Sequence, residues 1–156
     1  MLVSEVMRTS MVVLPEDTSA ADARLWLAGR HNGNERRGQR LYPVVDGERR
    51  LTSVITRREL AMLAKASDNS EAKLPLLAPV FAHPDETLRA VAERMATSGL
   101  FAMPVVARKT RKLLGLVTAE ELLKGREWAY TRENKHERLR MPFRRQRARE
   151  TVEETV

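Results

Sequence analysis

The sequence contains one segment twice, and this internal repeat constrains the fold more than any other feature. Leu41–Leu60 reads LYPVVDGERRLTSVITRREL, and Phe101–Leu122 reads FAMPVVARKTRKLLGLVTAEEL. The second Pro-Val-Val begins 61 residues after the first, at Pro104 instead of Pro43. Repeats of this length are single supersecondary units that bury their apolar faces against a neighbour, so we expect two similar halves packed together.

Each half predicts the order strand, helix, strand, strand, helix. In the first half the apolar run Met11–Leu14 predicts a short strand, and Ala20–Ala28 predicts a helix. Two adjacent strands and a second helix are predicted from the β-branched and apolar runs that follow, at Leu41–Val45, Leu51–Thr56 and Glu59–Lys65. In the second half Pro79–Ala82 predicts the first strand, and apolar residues at helical spacing in Leu88–Ala96 predict the helix.

The first half is longer than the second by one insertion. Thr18 to Pro43 spans 25 positions, whereas Thr87 to Pro104 spans 17, which leaves eight extra residues in the first half. The polar, glycine-containing segment His31–Arg40 is where they fit, and it predicts a loop.

Length and composition indicate that the halves share a core. Each repeat has about 60 residues, a marginal size for an independent core. Apolar residues make up 42% of the 156 positions and aromatic residues only 4%, so the core must be aliphatic. The absence of cysteine excludes disulfides and thiolate metal sites. The sequence start lacks a basic segment followed by an apolar stretch, so no secretory signal is expected there.

The doubled segment resembles the CBS (cystathionine beta-synthase) domain: Pro-Val-Val, a polar turn, an apolar strand ending in Thr, and an acid three residues later. Two copies in tandem resemble a CBS pair, or Bateman module, over residues 3–126. The resemblance implies an α/β (α+β) fold of two pseudo-symmetric repeats packed as one module. We expect repeat 1 at 1–66, a linker at 67–74, repeat 2 at 75–126, and a basic tail at 127–156 that is partly helical and partly disordered. It also implies a regulatory sensor of adenosine nucleotides and not an enzyme.

Two helix starts carry the residues that could bind a ligand. Thr56 and Glu59 lie at the first turn of one predicted helix, and Thr118 and Glu121 lie at the first turn of another. A helix start favours phosphate because its backbone N–H groups are free and its dipole is positive there. An ionised carboxylate can accept both hydroxyls of a ribose. The resemblance implies that the Thr and the acid hold ribose and phosphate.

The resemblance also implies that residues leading into the first strand of each repeat enclose the adenine, namely Met11, Val12 and Val80. The sequence departs from the family pattern in two ways. The acid is Glu where the family usually has Asp, and no aromatic platform for adenine precedes Pro-Val-Val. We therefore expect ATP, ADP or AMP to bind with modest affinity as a regulatory ligand, with no cofactor required.

The two helix starts differ in charge. Arg57 and Arg58 lie beside Glu59, whereas Glu120 lies beside Glu121. At an effective dielectric constant near 20, two like charges about 4 Å apart repel by about 4 kcal/mol. A nucleotide is therefore expected to prefer the first helix start, with Arg58 supplying charge to its phosphates.

The same spacing has a purely structural alternative. Thr-x-x-Glu is also a capping box, in which the two side chains satisfy free N–H groups at the start of a helix. On that interpretation no ligand is needed, and the module is a structural dimerisation domain. The residues alone leave both interpretations open.

No sequence pattern favours catalysis or a metal. The three histidines, His31, His83 and His136, lie in predicted loops or in the tail. The sequence has no Gly-rich phosphate loop and no His-Glu-x-x-His motif. The seven methionines are expected to fill the core.

The net charge of +7 belongs to the tail. Positions 124–149 hold ten Lys or Arg and three Glu, so the rest of the chain is balanced. Such a basic run beside a membrane predicts contact with anionic lipid headgroups. Nucleic-acid binding is not expected, because Trp128 and Tyr130 are the only aromatic residues near the start of the basic segment.

The charged helix and basic block resemble the cytosolic ends of bacterial CLC-type chloride channels and transporters. This resemblance implies a regulatory domain at the cytoplasmic face of the membrane that senses adenine nucleotide and modulates chloride transport. Its partners would be the channel's transmembrane domain and a second copy, since CBS pairs associate through helices such as Ala20–Ala28 and Leu88–Ala96. The alternative is a free-standing cytoplasmic CBS-pair energy sensor that binds and regulates a separate enzyme or transporter.

Overall fold

The structure is a computed structural model that describes residues 1–28, 39–69, 71–75 and 78–125. Most of the predicted loop at 31–40 and the whole predicted tail at 127–156 lie outside these residues. Within the described part, no helix is long and apolar enough to cross a membrane.

The described residues form a mixed α/β fold in which the predicted order helix, strand, strand, helix occurs twice, whereas the predicted strand before the first of these helices is a strand only in the first half. The first half contains α1 (Val3–Val6), β1 (Leu14–Pro15), α2 (Ala20–Leu27), β2 (Leu41–Val45), β3 (Leu51–Thr56) and α3 (Arg57–Ala64). The second half contains α4 (Leu88–Ser98), β4 (Ala102–Val106), β5 (Leu113–Thr118) and a final helix, α5, at residues 119–125. The predicted fold class is confirmed.

The strands form two small sheets. In the first, β1 is parallel to β2 and β2 is antiparallel to β3; in the second, β4 and β5 are antiparallel. The predicted strands at Met11–Leu14 and Pro79–Ala82 are shorter than expected, since only Leu14–Pro15 is a strand and only Ala82 forms a bridge, to Val105. In the first repeat the Gln39 side chain causes the shortening, because it bonds both the N–H and the C=O of Val12 at 2.9 Å.

The turns between the paired strands join the two repeats. Arg49 and Arg111, which are 62 residues apart, both have positive φ angles of 65° and 59°. The carbonyl of Arg111 accepts from Leu51 N at 3.1 Å, and the carbonyl of Arg49 accepts from Leu113 N at 3.0 Å. These two reciprocal bonds place the turns around a pseudo-twofold axis.

Three apolar clusters hold the module together. One is centred on the first sheet and includes Ile55 and Leu60, and another is centred on the second sheet and includes Met103 and Val117. The third takes residues from both repeats: Met11, Leu41 and Leu51 from the first, and Ala102, Val106, Leu113 and Leu116 from the second. The two repeats therefore share a core, as their small size requires.

The chain start packs on the second repeat and not on the first. Val3 is fully buried in the second-sheet cluster, and its N–H donates to Glu86 O at 2.9 Å. Arg8 and Leu116 exchange two backbone hydrogen bonds of 2.8 Å each. The segment between the repeats packs on the first repeat, since Leu74 is buried in the first-sheet cluster.

Candidate functional site

The first helix start lies where β3 ends and α3 begins. Thr56 has an extended backbone, and its hydroxyl oxygen accepts from Glu59 N at 3.2 Å, which caps α3. The same hydroxyl donates to Glu59 Oε1 at 3.2 Å. The other carboxylate oxygen, Oε2, is buried, and none of the described residues donates a hydrogen bond to it. Glu59 thus retains one acceptor that the described protein atoms do not use.

Backbone contacts fix this junction while its arginines remain exposed. The N–H of Arg57 donates to the carbonyl of Arg40 at 2.9 Å, so the start of α3 is tied to the residue before β2. Arg57 and Arg58 are both exposed on the first turn of α3. Positive charge and the positive end of a helix dipole therefore lie together beside Glu59.

The carboxylate at the second helix start accepts hydrogen bonds on both of its oxygens. Glu121 is only 7% exposed. Its Oε2 accepts from Thr118 N at 2.8 Å and also from the Thr118 hydroxyl, and its Oε1 accepts from Arg8 Nε. The acid-to-backbone half of a capping box is therefore formed here, whereas the hydroxyl-to-backbone half is formed at Thr56.

Two cations offset the acidic pair at the second helix start. Glu120 accepts from Arg8 Nη2 and from Lys124 Nζ, each at 2.9 Å. The hydrogen bond and charge of Lys124 lower the pKa of Glu120 below its usual range, and Arg8 lowers that pKa further. Repulsion between Glu120 and Glu121, which the sequence predicts, is thus reduced by Arg8, a residue that sequence reasoning did not assign to the site.

A cavity of about 230 Å³ lies between the repeats at this second helix start. Its walls include Arg8, Met11, Arg40, Phe101, Thr118 and Glu120. The residues leading into the first strand of one repeat therefore meet the helix start of the other repeat. This arrangement brings the predicted site residues Met11 and Thr118 together, with Glu121 directly behind Thr118.

The other predicted adenine residues lie in different surroundings. The Val12 side chain is buried in the core of the first repeat, while Val80 is 39% exposed. Tyr42 is buried in the same core as Val12. Phe101, which precedes β4, is 50% exposed and lines the cavity, so an aromatic surface is present that the sequence did not predict. The signal that could have identified Phe101 is its position, 61 residues after Arg40 at the other repeat junction.

No cluster of acidic, histidine or cysteine side chains that could hold a metal occurs among the described residues. The chemistry at both helix starts consists of hydroxyls, carboxylates and guanidinium groups. Such groups can bind a polar, anionic ligand by hydrogen bonds and charge.

Comparison with known proteins identifies the family. The model of the CBS domain family matches residues 3–65 and again residues 74–127. A curated relative, the uncharacterized protein MJ1225 of Methanocaldococcus jannaschii, is 29% identical over 82% of this chain and 44% of its own length. A homoserine O-acetyltransferase of Methanohalobium evestigatum is 32% identical over 51% of this chain and 16% of its own length. The chain therefore spans less than half the length of these curated relatives.

Solved structures share the fold at low identity. The CBS domain pair of protein MJ0100, in complex with 5′-methylthioadenosine and S-adenosyl-L-methionine, is 24% identical with a TM-score of 0.60, over 80% of this chain and 94% of that one. CBSX2 in complex with AMP is 18% identical with a TM-score of 0.64, over 83% and 98%. The soluble part of a magnesium transporter is 20% identical with a TM-score of 0.64, over 81% and 47%. The predicted family is confirmed: the chain belongs to the CBS domain family and carries two CBS domains in tandem.

Proposed function

We propose that this chain is a regulatory module, not an enzyme, and that it binds an adenine nucleotide at Thr56, Arg58 and Glu59. The observation that carries the proposal is the buried Glu59 Oε2, to which none of the described residues donates a hydrogen bond. Leaving a buried acceptor unpaired costs about 1–3 kcal/mol, and more for a charged group. Ribose hydroxyls are donors that would satisfy it.

The remaining groups at this helix start suit the rest of a nucleotide. Phosphate oxygens would meet the positive end of α3 and the Arg58 guanidinium, which forms directional hydrogen bonds to phosphate. Glu59 Oε1 already accepts the Thr56 hydroxyl at 3.2 Å, so one carboxylate oxygen holds the cap while the other remains for ribose. An adenine-containing ligand is favoured because similar structures were solved with AMP and with S-adenosyl-L-methionine.

Titration calorimetry with ATP, ADP and AMP tests this assignment. A charge-assisted hydrogen bond contributes about 1.5–3 kcal/mol, so Arg58→Ala is expected to weaken binding about tenfold or more. Glu59→Gln is expected to weaken it as well, because the amide replaces an acceptor with a donor. Arg89→Ala is the matched control, since Arg89 is the second residue of α4 just as Arg58 is the second residue of α3.

Four results would overturn the assignment. Arg58→Ala and Glu59→Gln could bind as the wild type does, or Arg89→Ala could weaken binding equally. Glu121→Ala could abolish binding while Arg58→Ala leaves it intact. If no nucleotide binds the wild type near millimolar concentration, the structural interpretation as a capped dimerisation domain is correct.

We also propose that the module regulates a membrane transporter, with a bacterial CLC-type chloride channel as the specific candidate. Support comes from the charged residues after Lys124 and from the similarity to the soluble part of a magnesium transporter and the cytosolic domain of the magnesium channel MgtE. The module would then lie at the cytoplasmic face of the membrane as a homodimer, with its basic tail near anionic lipid. The similarity to CBSX2 extends over 98% of that solved chain, which keeps a free-standing sensor as the second candidate. The coding sequence upstream of Leu2 decides: ten or more apolar helices indicate a channel, and a stop codon indicates a stand-alone protein.

A further inference from the structure

The two repeats carry the same Thr-x-x-Glu segment, but the state of the acid differs between them. Glu59 has a buried oxygen with no donor among the described residues. Glu121 receives hydrogen bonds from Thr118 N at 2.8 Å, from the Thr118 hydroxyl and from Arg8 Nε. The added partner at the second repeat is therefore a cation.

The sequence differs between the two segments that precede the repeats at the position of this cation. Leu14 pairs with Val44 as Ala82 pairs with Val105, so the two leading segments are offset by 68 residues and Arg8 corresponds to Leu76. A leucine cannot form an ion pair with a carboxylate. The segment before the second repeat therefore offers no cation at the position that corresponds to Arg8.

The second helix start has space for a ligand. A cavity of about 230 Å³ lies there, with the half-exposed Phe101 and Met11 as apolar walls and Thr118 as a polar one. The cavity has room and an aromatic surface, but the acid behind Thr118 is already engaged. A ribose would find no carboxylate oxygen at this position that is without a hydrogen-bond partner.

Neutral hydroxyls cannot readily displace Arg8 from Glu121. A ribose hydroxyl can donate a hydrogen bond to the Glu121 carboxylate but brings no positive charge, so displacing Arg8 would leave a largely buried carboxylate without its cation, which is strongly unfavourable. Arg8 is held at both ends, because its backbone exchanges two 2.8 Å bonds with Leu116 and its Nη2 also donates to Glu120 at 2.9 Å. Its guanidinium therefore has little conformational freedom to lose.

We propose that Arg8 determines which helix start accepts a nucleotide. Arg8 binds the Glu121 carboxylate and thereby excludes ribose from the second cavity. The first helix start then remains as the binding position. This inference rests on the proposed function, because it assumes that the ligand's ribose requires the acid. Arg8 is thus a specificity-determining residue contributed by the segment before the first strand.

The test is the number of AMP molecules bound per chain, measured by titration calorimetry and by equilibrium dialysis. Wild type is expected to bind one. Arg8→Gln is expected to bind two, and adding Thr118→Val to Arg8→Gln is expected to return the number to one. Arg8→Lys retains a cation opposite Glu121 and is expected to keep one. The control is Arg108→Gln, which removes an arginine paired with Asp85 elsewhere on the second repeat and is expected to keep one.

Each possible number of bound AMP molecules either supports or refutes the role of Arg8. If the wild type binds two AMP molecules, the proposal is wrong. This result needs no variant, so the proposal can be refuted even if Arg8→Gln folds poorly. One molecule on Arg8→Gln, with far-ultraviolet circular dichroism like that of wild type, also overturns it. None on wild type with one on Arg8→Gln refutes nucleotide binding at Thr56 while supporting the exclusion by Arg8. None on either protein refutes both proposals.

Discussion

Replacing Gly115 by alanine is expected to loosen the chain start from the second repeat. A Cβ atom at Gly115 would lie 2.6 Å from the carbonyl oxygen of Arg8 and 3.0 Å from Met7 Sδ. The thioether can move, but the carbonyl is backbone, and that residue exchanges two 2.8 Å hydrogen bonds with Leu116. The segment must therefore shift away from β5, which lengthens those bonds.

The expected loss of stability follows from three contributions. Forcing an extra methyl group into a packed site costs about 1–3 kcal/mol. Weakening two backbone hydrogen bonds adds a fraction of the roughly 0.5–1.5 kcal/mol that each contributes. Replacing glycine by alanine returns about 0.4–1 kcal/mol through the unfolded chain. The net loss is about 2 kcal/mol, which lowers the melting temperature by about 4–8 °C for a chain of this size.

Urea and thermal unfolding of Gly115→Ala beside Gly47→Ala measure this effect. Neither glycine has a positive φ, so alanine suits both backbones, and a Cβ at Gly47 would have nothing within 4 Å. Gly47→Ala is expected to be as stable as wild type or up to about 1 kcal/mol more stable. Equal stability of the two variants would refute the close approach of Arg8 to β5.

Glu86 should make the fold acid-sensitive, because the hydrogen bond and charge of Arg94 and the N–H of His83 lower its pKa from 4.5 to about 2. The stabilisation is present above pH 4.5 and is lost as the pH falls toward 2. Glu86→Gln is expected to lose about 2 kcal/mol at pH 7 and to show a flatter pH profile in urea unfolding; an unchanged profile would contradict this. Self-association is expected to weaken about tenfold or more when the exposed Met62 and Leu123 are both changed to Glu, and sedimentation velocity showing unchanged dimerisation would show that these two side chains lie outside the dimer interface.

The repeat predicted the fold class because it carries local signals in duplicate. These signals are Pro-Val-Val, the polar turn and the strand that ends at Thr56 or Thr118. Each depends on residues close together in sequence, so these elements form without distant partners. The predicted first strands were less accurate. Their pairing depends on distant partners, and in the first repeat the Gln39 side chain bonds Val12 in place of a neighbouring strand.

The sequence predicted only those parts of the site whose residues are close together in the chain. The sequence identified both Thr-x-x-Glu segments, and the structure has each acid hydrogen-bonded to its own Thr. The ion pair between Arg8 and Glu121 spans 113 residues, so spacing carried no signal for it. Aligning the segments that precede the two repeats would have given one, because the position that is Arg8 in one is leucine in the other.

The exchange of segments between repeats explains how residues so far apart come to share one site. The chain start completes the core of the second repeat through Val3, and Leu74 completes the core of the first. The carbonyl of Pro75, next to Leu74, accepts from the buried Ser53 hydroxyl at 3.0 Å, which fixes the linker to β3. Neither repeat of about 60 residues is therefore complete without chain that lies outside its own doubled segment. The same chain start brings Arg8 to Glu121, so the residues before β1 form part of the wall of the second cavity.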